Sequence, residues 1–163
     1  LLSVTLLNGG LFPETHRALL VQKLLLGPLG PLMSRLNSAP RLASSLRAVF
    51  GPQTPPSAEH LDAFWQLMTN NGGHRIAHRL IRYILDRRRN RDRWVHALQH
   101  TRVPLRLING PADPISGAHM AERYRQLVPR PDVVSLPGIG HYPQVEAPQA
   151  VAEAFLAFVD HLS

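Results

Sequence analysis

Short apolar runs alternate with amphipathic stretches along the chain and predict an α/β layered fold with a parallel sheet. Three runs rich in Val, Leu and Ile, at residues 3–8, 103–109 and 132–137, stop at Gly or Pro, as buried strands do. Residues 116–129 lie between the second and third runs and carry apolar side chains at helical spacing, which predicts a parallel crossover. Pro148 is well placed to open a last helix whose apolar stripe packs on the sheet. The stripe consists of Val151, Phe155, Phe158, Val159 and Leu162.

The first two predicted strands are separated by far more residues than a crossover needs. The intervening residues 14–95 contain helix-like runs broken by Gly-Pro, Pro-Pro and Gly-Gly pairs, which favours an inserted all-helical cap. We therefore expect a core formed by residues 1–13 and 96–163 and a cap formed by residues 14–95. The first strand is apolar on both faces, like a central strand. We expect its other neighbour to lie upstream and its edge to be unpaired here.

The composition excludes several classes of protein. The chain has 163 residues, 44% of them hydrophobic, which is typical of one globular domain. Because cysteine is absent, disulfides, a thiolate nucleophile and cysteine-ligated zinc are excluded. The longest apolar run, residues 24–33, is about half the length of a membrane-spanning helix. We expect a cytoplasmic protein, with association to a membrane left open.

The net charge is +7, and Lys23 is the only lysine among 18 basic residues. The densest basic cluster, residues 87–94, predicts a solvated helix face and turn. Since no aromatic interleaving or nucleic-acid motif accompanies it, we expect no nucleic-acid partner. A weak contact with anionic lipid headgroups stays open. The sequence leaves the oligomeric state open.

Two residues with catalytic chemistry follow consecutive predicted strands. Asp113 follows the second strand and His141 follows the third, so parallel strands bring both to one edge of the sheet. A carboxylate that accepts the ring N–H of a histidine fixes its tautomer and leaves the other nitrogen as a base. Taken singly, Asp113 is also a typical turn residue and His141 a packed loop histidine. Taken together, they predict the acid and base of a catalytic triad, in the order acid then histidine.

A nucleophile for this triad is missing from the sequence. No G-x-S-x-G motif occurs, and Ser116 and Ser135 lie on the wrong elements for a strand-to-helix nucleophile elbow. We expect the elbow to lie upstream of Leu1, about one helix and short loops before the first strand.

Several other residues are candidates for binding. The chain offers aromatic and methionine side chains that either line an apolar substrate pocket or form the cap's own core. These are Phe12, Phe64, Trp65, Met68 and Tyr83. Two histidine pairs at helical spacing, at 74 and 78 and at 96 and 100, lack a third ligand at a convincing spacing. We expect surface histidines there, with neither a metal nor another cofactor.

Four segments carry a resemblance to a known family. They are "LLNGGLFPETHRALLVQKLL", "FGPQTPPS", "RRNRDRWVHALQHTRVPLRLINGPADPI" and "GIGHYPQVEAP". These segments resemble the C-terminal portion of the mesoderm-specific transcript proteins, α/β-hydrolases close to the epoxide hydrolases and haloalkane dehalogenases. The resemblance implies an α/β-hydrolase core with a helical cap, with Asp113 as triad acid and His141 as triad base. It further implies an upstream aspartate nucleophile, absent from this chain, that forms an ester hydrolysed by His-activated water.

Two hypotheses follow. The first is the C-terminal part of a hydrolase acting on a small apolar ester, epoxide or carbon–halogen substrate; the complete protein is an enzyme, and this chain alone is inactive. The second is a non-catalytic hydrolase-like module that binds a protein partner or a membrane surface.

Overall fold

The computed structural model describes residues 2–162, which form two compact units. The first unit comprises residues 2–17, 49–55 and 90–162, and the second unit comprises residues 18–48 and 56–89. The short segment 49–55 falls within the predicted cap range but belongs to the first unit. The assignment of residues 14–95 to a cap stays a prediction.

The three predicted strands are present and form one parallel sheet. They are β1 (Val4–Leu7), β2 (Leu105–Asn109) and β3 (Asp132–Ser135), in the spatial order β1-β2-β3. Leu7 is paired with Ile108, and Asn109 is paired with Ser135, so the carboxyl ends of the strands are level with one another. Within residues 2–162, β1 pairs on one side only. The predicted α/β class with a parallel sheet is confirmed.

Ten α-helices connect and flank the strands within residues 2–162. They are α1 (Leu20–Leu26), α2 (Gly30–Arg35), α3 (Ala39–Arg47), α4 (Ala58–Thr69), α5 (Ala77–Leu80), α6 (Tyr83–Arg89), α7 (Arg91–His100), α8 (Ala118–Leu127), α9 (Pro143–Glu146) and α10 (Pro148–Asp160). Two 3₁₀ helices lie at Pro13–Thr15 and Asn70–Ile76. Among the described residues, no helix has the length and apolar character needed to cross a membrane.

Strand β2 is buried on both faces, as expected for a central parallel strand. Leu107 and Ile108 point to opposite faces of the pleat, and both are fully buried. Leu107 joins a core cluster with Met120 and Tyr124 of α8, which provides the crossover between β2 and β3. Helix α10 also contacts β2, and Arg106 Nη1 donates a hydrogen bond to the carbonyl of Ala154 at 2.6 Å.

The C-terminal helix α10 docks on the sheet with only part of the predicted stripe. Phe158 is buried and lies under the Arg106 guanidinium, 4.8 Å from the ring centroid. Phe155 and Leu162, which the stripe also placed against the sheet, are exposed by 44% and 43%. The prediction is wrong for these two residues, because the less exposed face of α10 is rotated toward Ala150 and Ala154 and away from Phe155.

The second unit consists of short helices, because Gly and Pro residues divide the chain there. The pair Gly30-Pro31 was expected to break a helix; instead Pro31 lies in the first turn of α2, where its missing N–H costs nothing. Residues 72–89, one of the helix-like runs, form the end of a 3₁₀ segment, α5 and α6 instead of a single helix. At the start of this run, Asn71 and Gly72 adopt left-handed backbone angles.

Candidate active site

Asp113 lies in the turn that follows β2, and its side chain has no exposed surface. Its Oδ1 accepts a hydrogen bond from the backbone N–H of Ile115 at 2.8 Å, which closes a turn of the kind that aspartate favours. Its Oδ2 accepts from the backbone N–H of Ser116 at 3.1 Å and from the Ser116 hydroxyl at 2.7 Å. Asp113 is thus a turn residue, and the same turn fixes the direction of its carboxylate.

His141 lies in the loop that follows β3. Gly138, with φ of +79°, turns the chain, and the backbone N–H of His141 donates to the carbonyl of Val49 at 2.9 Å. The ring Nδ1 lies 2.7 Å from Asp113 Oδ2, and 27% of the side chain is exposed. The loops after β2 and β3 therefore bring a buried carboxylate to a partly exposed imidazole.

The carboxylate of Asp113 is held in its charged form. Burial raises its pKa, but the hydrogen bond and charge of His141, with hydrogen bonds from Ile115 and Ser116, outweigh this effect and lower the pKa overall. An ionised carboxylate can only accept hydrogen bonds, so Nδ1 of His141 is the donor. In the neutral ring, Nε2 then carries the lone pair, which is the arrangement that a general base requires.

Asn8 joins the three strand ends through its buried side chain. It directly follows β1, and its Nδ2 donates to Asp113 Oδ2 at 3.1 Å, to the Gly110 carbonyl at 3.1 Å and to the Gly140 carbonyl at 3.0 Å. Its Oδ1 accepts from the backbone N–H of Gly110 at 2.7 Å and from Asn109 Nδ2 at 3.0 Å. The amide thus fixes both loops and adds a donor to the Asp113 carboxylate. In the sequence, Asn8 is followed by two glycines, a pattern that predicts a strand-to-cap turn and does not reveal this role.

Glu146 is a second anchor, partly buried, that the sequence did not reveal. Its Oε2 accepts from the backbone N–H groups of Gly51 at 2.7 Å and Gly140 at 2.9 Å, and from the Thr54 hydroxyl at 2.6 Å. Its Oε1 accepts from the backbone N–H of Tyr142 at 3.0 Å. The carboxylate therefore fastens the His141 loop to segment 49–55 within the first unit. The only sequence signal was an acidic residue a few positions after His141.

The predicted pocket residues fall into both units. Phe12 is fully buried in the hydrophobic core of the first unit, with Val95 and Leu107. In the second unit, Phe64, Trp65 and Met68 lie on α4 and are half-buried, and Tyr83 is 42% exposed with the Arg87 guanidinium over its ring. Their role as substrate-pocket residues stays a prediction.

A cavity of about 500 Å³ in the first unit does not belong to the Asp113 and His141 pair. It is lined by residues at the amino ends of the strands, including Val103, Leu105 and Asp132. The candidate catalytic residues follow the carboxyl ends, so this cavity lies at the other end of the sheet.

The predicted histidine pairs are arranged as follows. The rings of His96 and His100 are stacked with centroids 3.8 Å apart, and His100 Nδ1 lies 2.9 Å from the carbonyl of His96. His78 Nδ1 is paired with the Ser34 hydroxyl at 3.0 Å. Within residues 2–162, no group of three or more His, Cys, Asp or Glu side chains is placed to hold a metal ion.

A parallel sheet with an aspartate and a histidine at neighbouring strand ends is the arrangement of the hydrolase fold, and the chain belongs to the α/β hydrolase family, whose model matches residues 2–154. Its relatives include the mesoderm-specific transcript protein of Mus musculus, which is 41% identical over 162 residues, covering 97% of this chain and 48% of the mouse protein. LipZ of Mycobacterium tuberculosis is 40% identical over 152 residues, covering 93% of this chain and 53% of LipZ. The resemblance inferred from the sequence is confirmed.

Solved structures show the same fold. A haloalkane dehalogenase, the DbeA-M1 loop variant from Bradyrhizobium elkanii, superposes with a TM-score of 0.76 at 14% sequence identity, covering 99% of this chain and 59% of that one. The chain spans about half the length of the curated relatives it matches.

Proposed function

We propose that this chain supplies the acid and the base of a hydrolase triad, with Asp113 as the acid and His141 as the base. The observation that carries the proposal is the 2.7 Å contact between His141 Nδ1 and a carboxylate without exposed surface. Membership of the α/β hydrolase family supports hydrolysis as the reaction. In the proposed protein the nucleophile lies upstream of Leu1, and the chain alone is inactive.

The proposed substrate is a small apolar ester, epoxide or carbon–halogen compound, and no cofactor takes part. Nε2 of His141 removes a proton from water, which attacks the covalent intermediate, and Asp113 stabilises the resulting imidazolium. Asn8 and Ser116 keep the Asp113 carboxylate in place while the ring changes charge.

The test requires the longer reading frame that includes the segment upstream of Leu1. If the nucleophile is an aspartate, changing His141 to Ala blocks hydrolysis after the first step, because the histidine activates only the water. Mass spectrometry of the variant with substrate then detects a covalent adduct on the upstream segment. If the nucleophile is a serine, the same variant forms no adduct, because the serine also needs the histidine as its base.

A matched control separates the chemistry from the fold. His119 lies on α8 with its Nε2 3.0 Å from the carbonyl of Ile115, and changing it to Ala leaves turnover within about threefold. Full turnover by a folded His141→Ala variant would reject the proposal.

A further inference from the structure

The formal charge of the chain is distributed unequally between the two units. The second unit carries ten Lys and Arg residues against three Asp and Glu, a net charge of +7, whereas the first unit carries eight of each and is neutral. The whole net charge of the protein therefore resides in the second unit. A local excess of this size in so few residues favours an anionic ligand.

Part of this charge surrounds a cavity of about 650 Å³ within the second unit, which we call the basic cavity. Its lining contains three arginines, two histidines and two apolar residues, and no carboxylate. The lining residues are Pro31, Arg35, His74, Arg75, Ile76, His78 and Arg79. The volume lies within the usual range of small-molecule sites.

The three arginines of the basic cavity are available to a ligand. Arg35, Arg75 and Arg79 are exposed, and within residues 2–162 none of them forms an ion pair with a carboxylate. In the first unit, by contrast, Arg91 and Arg123 both pair with a carboxylate. Like charges that line one cavity without a counter-charge repel one another, and a bound anion relieves that repulsion.

The helices that hold the basic cavity are closely packed. A Cβ added at Gly30 would meet the Cβ of His78 at 2.9 Å, so the glycine allows α2 to approach α5. One turn later in α2, the fully buried Ser34 accepts a hydrogen bond from the backbone N–H of His78 at 2.9 Å. The position of His78 is therefore fixed before any ligand binds.

The same serine also contacts the His78 ring. Ser34 Oγ lies 3.0 Å from His78 Nδ1, so a second hydrogen bond holds the ring in addition to the one from the backbone N–H. Asn37 Nδ2 donates to the carbonyl of His74 at 3.2 Å and fixes the second histidine segment to the loop after α2.

We propose that the basic cavity binds a phosphate group, either of a soluble phosphorylated compound or of a phosphomonoester lipid headgroup. Several guanidinium forks match the oxygens of one tetrahedral dianion, and a planar carboxylate offers fewer acceptor positions. Ile76 lines the cavity and is 41% exposed, which offers apolar surface to the rest of the ligand. Leu32 and Leu80, which follow the lining residues Pro31 and Arg79 in the sequence, are also exposed. The proposal does not depend on the catalytic role of His141.

The first experiment measures phosphate binding through Trp65, whose ring centroid is 5.9 Å from that of His74. The variant Trp94→Phe leaves Trp65 as the only tryptophan of the chain. Titration with inorganic phosphate or pyrophosphate, at constant ionic strength set with chloride, is expected to give a saturable fluorescence change. The double substitution Arg35→Gln and Arg79→Gln, added to the Trp94→Phe variant, is expected to weaken phosphate binding by about tenfold for each guanidinium removed.

The matched control removes the same charge outside the basic cavity. Arg47→Gln with Arg89→Gln, exposed residues of the second unit that do not line the cavity, is expected to change the affinity by no more than about twofold, since exposed charges are screened by salt. Arg35→Lys with Arg79→Lys keeps the charge and removes the forks, and an intermediate loss is expected. Equal weakening by the cavity pair and the control pair would mean diffuse charge and would overturn the proposal. No saturable change with either probe would also overturn it.

A second experiment separates the two sources of phosphate. Sedimentation with phosphatidylcholine vesicles containing phosphatidic acid is compared with vesicles of equal charge containing phosphatidylglycerol. A preference for phosphatidic acid that is lost only in the Arg35 and Arg79 pair supports a lipid headgroup. Pyrophosphate binding without that preference supports a soluble ligand.

Discussion

Changing Asn8 to Ala tests whether one buried amide holds the candidate active site together. In the variant, the backbone N–H of Gly110 and one hydrogen of Asn109 Nδ2 lose their acceptor, and the carbonyls of Gly110 and Gly140 lose a donor. Each buried donor left without a partner costs about 1–3 kcal/mol, and the carbonyls cost less. We expect a loss of about 2–4 kcal/mol in the free energy of unfolding after some relaxation.

The measurement is urea denaturation of the 163-residue chain. The midpoint urea concentration of the variant is compared with that of the original chain, provided that the free energy of unfolding depends on urea with the same slope in both. Asn37→Ala is the matched control, since Asn37 donates one hydrogen bond, to the carbonyl of His74. That variant is expected to lose about 1 kcal/mol or less. Equal shifts for the two variants would contradict the account of Asn8 as the link between the strand ends.

A second variant at the same position separates packing from charge. Asn8→Asp keeps the shape and the acceptor, but it places a carboxylate oxygen where Nδ2 lies, 3.1 Å from Asp113 Oδ2. Two carboxylates at this distance raise the pKa of one of them, so its folded pKa exceeds its unfolded value. The loss in free energy of unfolding relative to the original chain is therefore largest near neutral pH and becomes smaller as the pH falls. A loss that does not change with pH would refute this reasoning.

Three further predictions concern the pH dependence, the His141 loop and the sheet. The pKa of Asp113 is lowered, and a hydrogen bond from Arg91 is the main cause that lowers the pKa of Glu14 to about 2. Both carboxyl groups have a lower pKa in the folded than in the unfolded chain, so they stabilise the fold fully above about pH 4.5 and lose this effect as the pH falls toward about 2. Acid titration followed by circular dichroism measures the loss. A fold that becomes more stable as the pH falls through this interval would contradict the prediction. Glu146→Ala leaves four donors without their acceptor, and we expect a loss of about 2–4 kcal/mol and faster amide exchange in the His141 loop; unchanged exchange would exclude the anchoring role. Phe158→Ala is expected to cost about 3–5 kcal/mol and the exposed Phe155→Ala about 1 kcal/mol or less in urea denaturation, and the reverse order would contradict the docking of α10.

The sequence was sufficient for the strands and for placing Asp113 beside His141, because both predictions depend on local patterns. Apolar runs ending at Gly or Pro marked β1, β2 and β3, and parallel topology then placed the residues after β2 and β3 at one edge. Asp113 and His141 were found because aspartate and histidine are chemically distinctive and each follows a strand. The topology makes the two residues neighbours, and the turns that hold each of them bring Nδ1 and Oδ2 to 2.7 Å.

The sequence was insufficient where a role depends on distant partners. Asn8 donates a hydrogen bond to the carbonyl of Gly140, 132 positions away, and Glu146 accepts one from the N–H of Gly51, 95 positions away. No local pattern identifies such partners, because an asparagine beside two glycines predicts a turn equally well. The outward position of Phe155 has a different cause, since helical spacing fixes a stripe only to within about one position.

The most direct test of the central claim is the position of the hydrogen on the neutral ring of His141. Long-range proton–nitrogen NMR of the labelled chain, assigned by comparison with His141→Gln, reports which ring nitrogen is protonated. The account predicts the hydrogen on Nδ1, donated to Asp113, with the lone pair on Nε2. A ring with its hydrogen on Nε2 in the folded chain would contradict the pairing on which the proposed triad depends.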